Sequence, residues 1–349
     1  MGLRVDHRLG SAGSFTRVMR MRTWQVTKLG DPTKVVAQTD IPEPQRSGDE
    51  LLVQIQAVGL GFPDFLMAQG LYHDKPDLPF GIGGESSGLV LEAPAGSDFA
   101  AGDHVLTLAG KKGGVVLTNR VAAAPERLLK VPTDMLPEHA AVLFSGYQTS
   151  YVGLMRRGHL EAGQTVVIHG ASGGVGMAAV QIAKAKGAKV IAVAGGQRKV
   201  DACREWGADV VIDHQKEDFV EVVKDLTNGR GVEMVFDPVG GEIFDKSRRI
   251  MAVEGRLVVV GFAGGTIPSA PANHVLLKNY DVVGMRMRPF REDPVYRQFV
   301  HDELVQMYQD GALKPRISKY GFDDLPAALD EIGTRQVIGR VVVSPPPEN

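Results

Sequence analysis

The stretch that decides the fold is GQTVVIHGASGGVGMAAVQIAKAKGAKVIAVAGG, residues 163–196. It opens with a short apolar β-branched run, Thr165 to Ile168, passes through a turn of small residues and continues as an amphipathic helix from about Val175 to Lys186. The turn, Ala171-Ser172-Gly173-Gly174-Val175-Gly176, carries the G-x-G-x-x-G spacing of a dinucleotide loop with Ala in the first place. Ala171 allows the tight turn, Gly173 lets backbone approach a pyrophosphate, and Gly176 lets the helix sit close on the strand. Free N–H groups and the positive end of the helix dipole then face the phosphates. A second apolar run, Val190 to Val193, follows at the distance a β-α-β unit requires.

The tip of that second strand selects the dinucleotide. An NAD site places an acid about 20 residues beyond the loop, on the adenosine ribose. Here the chain reads Ala194-Gly195-Gly196-Gln197-Arg198-Lys199, with room for a 2′-phosphate beside two cations. The expected cofactor is NADPH.

Composition sets the outer bounds. At 349 residues the chain calls for two domains; 44% hydrophobic and 23% charged residues are those of a globular protein. A net charge of −2 gives no footprint for nucleic acid or an anionic membrane surface, and no apolar run reaches membrane-spanning length. The single cysteine, Cys203, falls in a helical pattern as a small buried residue; it excludes a disulfide framework and suits a reducing cytoplasm. Residues 1–20, with four arginines (4, 8, 17 and 20) against one acid, Asp6, read as a dispensable extension: a transit segment or, more in keeping with Met19 and Met21, an early start codon.

From Thr23 to about Lys130, short β-rich runs separated by Gly and Pro predict a compact barrel-like domain: Trp24–Val26, Leu51–Ile55, Ser87–Val90, His104–Leu106 and Asn119–Val121. The stretches Gly59–Tyr72 and Pro79–Gly88 read as loops that wall a pocket. Helical spacing of Ala141, Phe144, Tyr151 and Leu154 leads into the dinucleotide loop. After it, Val210–Ile212, Glu233–Phe236, Leu257–Val260 and Asp281–Gly284 complete six strands of a doubly wound parallel sheet. Two helices, Asp293–Gln309 and Phe322–Gly333, precede a last strand, Arg340–Val343, which is expected to return to the first domain.

From Met21 onward the chain resembles the medium-chain dehydrogenase/reductase superfamily, in its zinc-independent quinone oxidoreductase (zeta-crystallin-like) branch. The resemblance rests on Gly59–Tyr72 with Pro63-Asp64, Gly83–Gly88, His169–Gly176, Phe236–Gly241, Val260–Phe262 and Arg335–Val343. It implies an α/β protein with a GroES-like β-rich catalytic domain (21–144 and 285–349) and an inserted Rossmann domain (145–284) with a six-stranded parallel sheet. The zinc members carry Cys in the first loop and a Gly-His-Glu motif in the second; Gly61-Phe62 and Gly84-Glu85 supply neither ligand, so no catalytic zinc is expected. His104, His159 and His169 are then surface or strand-end histidines.

Without a Lewis acid, the reaction implied is direct hydride transfer from NADPH to an acceptor already conjugated and electrophilic, a quinone or an α,β-unsaturated carbonyl. By the same resemblance, Ala171, Ser172, Gly173, Gly174, Val175 and Gly176 hold the pyrophosphate. Lys199 and Arg335 reach the 2′-phosphate, while Gly195, Gly196 and His214 flank the adenine ribose. Thr149, Gly261 and Phe262 lie near the nicotinamide. Gly61, Asp64, Leu66 and Tyr72 line the acceptor pocket, with Tyr72 orienting the acceptor. Relatives have Asn where this chain has Gly61, and some have Tyr where it has Leu66; both changes are expected to enlarge or dry the pocket.

Two other readings stay open. An enoyl-thioester or alkenal reductase would need a positive entrance, for which Lys278, Arg286, Arg288 and Arg291 are candidates. An NADPH-binding protein with little turnover would fit the loss of the Asn. The edge strand Asp281–Gly284 further predicts a homodimer.

Overall fold

The computed structural model describes residues 20–108 and 117–347; the extension expected at 1–20 thus lies outside them except for Arg20, which opens the first strand. The strands of the first part are β1 (Arg20–Val26), β2 (Val36–Pro42), β3 (Leu51–Leu60), β4 (Phe80–Gly81), β5 (Glu85–Glu92), β6 (His104–Leu108), β7 (Arg120–Ala123) and β8 (Leu128–Lys130). Those of the second are β9 (Thr165–Ile168), β10 (Lys189–Ala194), β11 (Val210–Asp213), β12 (Val232–Asp237), β13 (Met251–Val259) and β14 (Asp281–Gly284). β15 (Ile317–Tyr320) and β16 (Arg340–Val343) follow.

The six strands β9–β14 form one parallel sheet in the order β11-β10-β9-β12-β13-β14. The order reverses beside β9, and that switch point is where an open α/β sheet holds its ligand, beyond the carboxyl ends of the strands. Helices fill both faces. On one, Met177, Val180 and Ile182 of the helix Gly174–Ala185 pack with Leu143, Tyr147 and Leu154 and with Val300 and Leu304 of the helix Pro294–Gln309. On the other, Phe219, Val223 and Phe244 cover Val167, Ile191 and Val235.

The remaining strands build the β-rich domain. A seven-stranded sheet runs β15-β16-β3-β5-β6-β8, with β7 also paired to β3, and a smaller sheet runs β2-β1-β4. The last strand pairs antiparallel with β3, Val341 opposite Leu60 and Val343 opposite Val58, so both ends of the chain build this domain. Trp24 closes the same seam, its indole N–H donating to the Phe322 carbonyl at 2.8 Å.

Three features differ from the sequence expectation. Gly59–Leu60 completes β3 and Phe62–Gln69 is a helix, so the first pocket loop shrinks to the turn at Gly61 and the segment after Gly70. The second loop likewise ends at Gly84, because Glu85 already opens β5. Third, although the sequence boundary at 285 assigns it to the catalytic part, the helix Pro294–Gln309 buries Val300, Leu304 and Met307 in the core shared with the parallel sheet.

Candidate active site

At the carboxyl end of β9 the chain turns through Gly170, whose φ is +56°, into Ala171 and Ser172, both buried. Gly173 caps the helix Gly174–Ala185. A Cβ on Gly176 would lie 2.2 Å from the Gly170 carbonyl oxygen, so the helix reaches its place against the strand only with glycine there. The Gly339 N–H donates to the Ser172 carbonyl at 2.8 Å, and Gly173 bridges Gly339, so the catalytic domain's last turn clamps the loop.

The tip of β10 lies beside this loop. Gly195 is pressed against His214, whose Nε2 would be 2.6 Å from a Cβ at that position. Lys199 is half-buried, and its ammonium donates to the Arg335 carbonyl at 2.6 Å. Burial, and then the neighbouring Arg335 guanidinium, lower the Lys199 pKa. Arg335, at φ +57°, donates in turn to the Ala263 carbonyl at 2.8 Å. Two residues far apart in sequence therefore meet as two cations, with no ion pair to an acid at either among the described residues. One acid nearby escaped the sequence reading: Asp213 ends β11 and lies under Gly196, but its Oδ1 accepts the Gly196 and Gln215 N–H groups and is turned into backbone.

The loops after β12 and β13 extend the groove. Phe262 lies over Gly240, and Pro238 and Val239 sit against Gly170. Asp237, fully buried, accepts N–H groups from Val239 and Gly240 and shapes this loop. Thr149 sits half-buried at the junction of two π-helical turns, Leu143–Gln148 and Val152–Arg157, where regular helical spacing had been expected.

Across the cleft, Asp64 accepts the Gly61 N–H at 2.8 Å and the Gly83 N–H at 3.1 Å. Its buried carboxylate ties the two expected pocket turns together. Leu66 is half-buried in the helix Phe62–Gln69. Tyr72 is half-buried, its ring centroid 4.0 Å from that of His73, and burial raises the pKa of its hydroxyl.

Gly61 does not leave a void. A Cβ there would be 2.6 Å from Nη1 of Arg340, and one on Gly174 would be 2.4 Å from its Cδ. Arg340 is buried, pairs with the carboxylate of Glu85, and has an Nε with no partner among the described residues. Glu85 also accepts N–H groups from Phe144 at 3.0 Å and Ser145 at 2.7 Å. Burial, partly countered by Arg340, pushes its pKa up to about 7. The expected enlargement at Gly61 is thus corrected: a guanidinium from the far end of the chain occupies the space. Sequence reading placed Glu85 in the second pocket-wall stretch but passed over Arg340, although a charge at the head of an apolar strand was the available signal.

The zinc positions can be tested on the same geometry. Gly61 and Gly84 bring no side chain, and Asp64 and Glu85 are committed to backbone and to Arg340. Among the described residues no His, Cys, Asp and Glu group could hold a metal ion. His169, at the end of β9, is buried, with Nε2 2.8 Å from the Ser247 hydroxyl, and His159 is exposed.

A dinucleotide-type loop at the carboxyl end of a six-stranded parallel sheet, clamped by the last turn before the strand that completes a separate β-rich domain, defines a two-domain architecture of the dehydrogenase/reductase type. Comparison with known proteins agrees. A family model described as "Alcohol dehydrogenase GroES-like domain" matches residues 47–133, and one described as "Zinc-binding dehydrogenase" matches 174–302. A Nematostella vectensis protein, "Quinone oxidoreductase-like protein 2 homolog", is 33% identical over 93% of this chain and 88% of its own. The structure of a probable oxidoreductase from Mycobacterium abscessus superposes with a TM-score of 0.84 at 34% identity, covering 94% of this chain and all of that one. Escherichia coli quinone oxidoreductase complexed with NADPH superposes with a TM-score of 0.83 at 26% identity, covering 93% of this chain and all of that one. The chain belongs to the medium-chain dehydrogenase/reductase superfamily, in its zinc-independent quinone oxidoreductase branch.

Proposed function

We propose that the protein is an NADPH-dependent reductase that passes hydride, without zinc, to a quinone or another conjugated carbonyl acceptor. The observation that carries this reading is the meeting of Lys199 and Arg335 beside the Ala171–Gly176 loop, a fit for a 2′-phosphate at the far end of a pyrophosphate site. The NADPH complex of the Escherichia coli neighbour supports it.

NADPH, when bound, supplies the hydride. Backbone N–H groups of the loop and the helix N-terminus hold the pyrophosphate, and Gly195 and His214 flank the adenine ribose. Thr149, Gly261 and Phe262 border the nicotinamide end. Tyr72 orients the acceptor; with its pKa raised, its hydroxyl keeps its proton through neutral pH and donates to the acceptor oxygen. Leu66 and the Gly61 turn form the acceptor wall, and Asp64 acts on it only through the two backbone N–H groups it holds.

Stopped-flow oxidation of NADPH and NADH, with and without 9,10-phenanthrenequinone and an alkenal, tests this. Fast, acceptor-dependent loss of NADPH absorbance is expected, and binding without oxidation across both acceptors refutes it. The same reading includes a homodimer and a cytoplasmic location. Among the described residues no helix is long and apolar enough to cross a membrane. β14 is the open edge of its sheet, and the adjoining helix Ala272–Lys278 leaves Leu276 and Leu277 74% and 81% exposed. Light scattering at micromolar concentration should give twice the chain mass, and a monomer there overturns the dimer.

A further inference from the structure

The dinucleotide groove carries a bridge that the hydride step does not use. In the parallel sheet β10 and β13 are separated by β9 and β12, so their carboxyl ends stand about 14 Å apart across the switch point. Arg335 touches both sides of that crevice. Its carbonyl accepts the Lys199 ammonium at 2.6 Å on the β10 side, and its guanidinium donates to the Ala263 carbonyl at 2.8 Å in the loop after β13. Four residues on, the Gly339 N–H donates to the Ser172 carbonyl of the dinucleotide loop. The segment 335–339 is therefore a strap across the place where an open α/β sheet holds its ligand.

The two ends of the strap differ. Gly339, at φ +85°, is pinned: a Cβ there would lie 2.2 Å from the Arg316 carbonyl oxygen, which also accepts the Arg340 N–H at 2.9 Å. Arg335 closes the helix Leu325–Gly333. Its N–H donates to the Ile332 carbonyl and the Gln336 N–H to the Glu331 carbonyl, the paired bonds of a helix end whose left-handed position glycine ordinarily fills. Arginine holds that position at φ +57°, which L side chains rarely adopt. It is exposed and has no ion pair to an acid among the described residues, so a surface role does not call for it. Such strain persists where surrounding bonds impose it, and the bonds to Lys199 and Ala263 are the ones that cross the crevice.

A 2′-phosphate beside Lys199 offers both side chains a better partner than a carbonyl, because charge-assisted hydrogen bonds are about twice as strong as neutral ones. A guanidinium drawn to that phosphate turns from the β13 side to the β10 side and leaves Ala263. We propose that Arg335 is a gate opened by the 2′-phosphate, which draws it off Ala263 and frees the loop 261–267, with Phe262, to receive the nicotinamide. NADH has no group that does this, so the strap selects NADPH by admission to the nicotinamide end as well as by affinity. The gate rests on the 2′-phosphate reading of Lys199 and Arg335, and its test lets the two fail separately.

Amide hydrogen exchange of the full chain, alone and saturated with adenosine 2′,5′-bisphosphate or with AMP, reads the gate without turnover. The Ala263 and Gly264 N–H groups, bonded to the Pro238 and Val239 carbonyls at 2.9 and 2.8 Å, are the reporters. Neither probe has a nicotinamide to cover the loop. The bisphosphate is expected to speed exchange over 261–267 about tenfold or more, while AMP leaves it unchanged. Arg335→Gly suits the left-handed turn and removes the guanidinium, so it should show the faster exchange without ligand and no further response to the bisphosphate. Bisphosphate that binds yet slows or leaves unchanged the exchange over 261–267, or wild-type exchange in Arg335→Gly, overturns the gate and leaves the 2′-phosphate site standing. Bisphosphate that binds no more tightly than AMP by calorimetry defeats the 2′-phosphate reading itself, and the gate with it.

Discussion

Lys199 gives the most discriminating test of the cofactor site. Its ammonium is half-buried, donates to the Arg335 carbonyl at 2.6 Å, and is disfavoured as a cation both by burial and by the Arg335 guanidinium. A phosphate dianion in that position relieves the disfavour. Lys199→Gln keeps a donor for the carbonyl and removes only the charge. A hydrogen bond to a charged group contributes about 1.5–3 kcal/mol, and partial exposure brings the figure to the lower end, about 1.4–2 kcal/mol. The dissociation constant for NADPH should therefore rise about 10- to 30-fold, since 1.4 kcal/mol is tenfold. NADH, lacking the 2′-phosphate, should change by less than about twofold. Titration of each cofactor by calorimetry measures both. Equal weakening of NADPH and NADH would mean that the substitution disturbs the Arg335 turn, and unchanged NADPH affinity would remove Lys199 from the site; either result refutes the 2′-phosphate assignment.

Three further outcomes follow from the packing. Gly176→Ala forces a Cβ to within 2.2 Å of the Gly170 carbonyl oxygen, so thermal unfolding should show a loss of about 3 kcal/mol or more and no stabilisation by added NADPH. His169 is buried with its pKa pushed down to about 3, so below pH 6.5 the unfolded chain takes up a proton that the folded one refuses. Stability should then fall with decreasing pH by up to about 1.4 kcal/mol per pH unit from this residue, and His169→Gln should flatten the denaturant-measured slope between pH 6.5 and 4. Cys203 is buried with its thiol pushed up to about 12, so Ellman's reagent at pH 8 should leave it unmodified in the native protein and titrate one thiol in guanidinium chloride.

Much of the architecture was legible because its parts are locally encoded. Thr165–Ile168, Asp281–Gly284 and Arg340–Val343 have the bounds read from sequence, since each is a β-branched run between turn residues. Ile317–Tyr320 went unseen because an edge strand that stays partly exposed carries no apolar alternation. Val36–Pro42, which pairs only with β1, is similarly half-exposed. The helix Phe62–Gln69 did leave signals: Pro63 in its first turn, Asp64 reaching back to the Gly61 N–H, and Gly70 at φ +74° after its last turn. They were outweighed by the density of glycine and proline around them, which reads as loop.

The site was legible where one segment makes it and illegible where two segments share it. Ala171–Gly176 is a single turn, and its glycines announce themselves. The Gly61 wall is different, because its missing side chain means opposite things depending on what stands across from it. From sequence the position is a deletion, a polar group lost from the pocket. In the fold, the head of β16 brings Arg340 between Gly61 and Gly174, and Cβ atoms at 2.6 Å and 2.4 Å from its side chain would exclude it. A buried guanidinium is costly unless paired, and Glu85 supplies the pairing while holding the start of the helical segment at Phe144 and Ser145. The two glycines and the arginine are therefore one arrangement: restoring a side chain at Gly61 would displace Arg340, break its pair with Glu85 and loosen the contact between the domains.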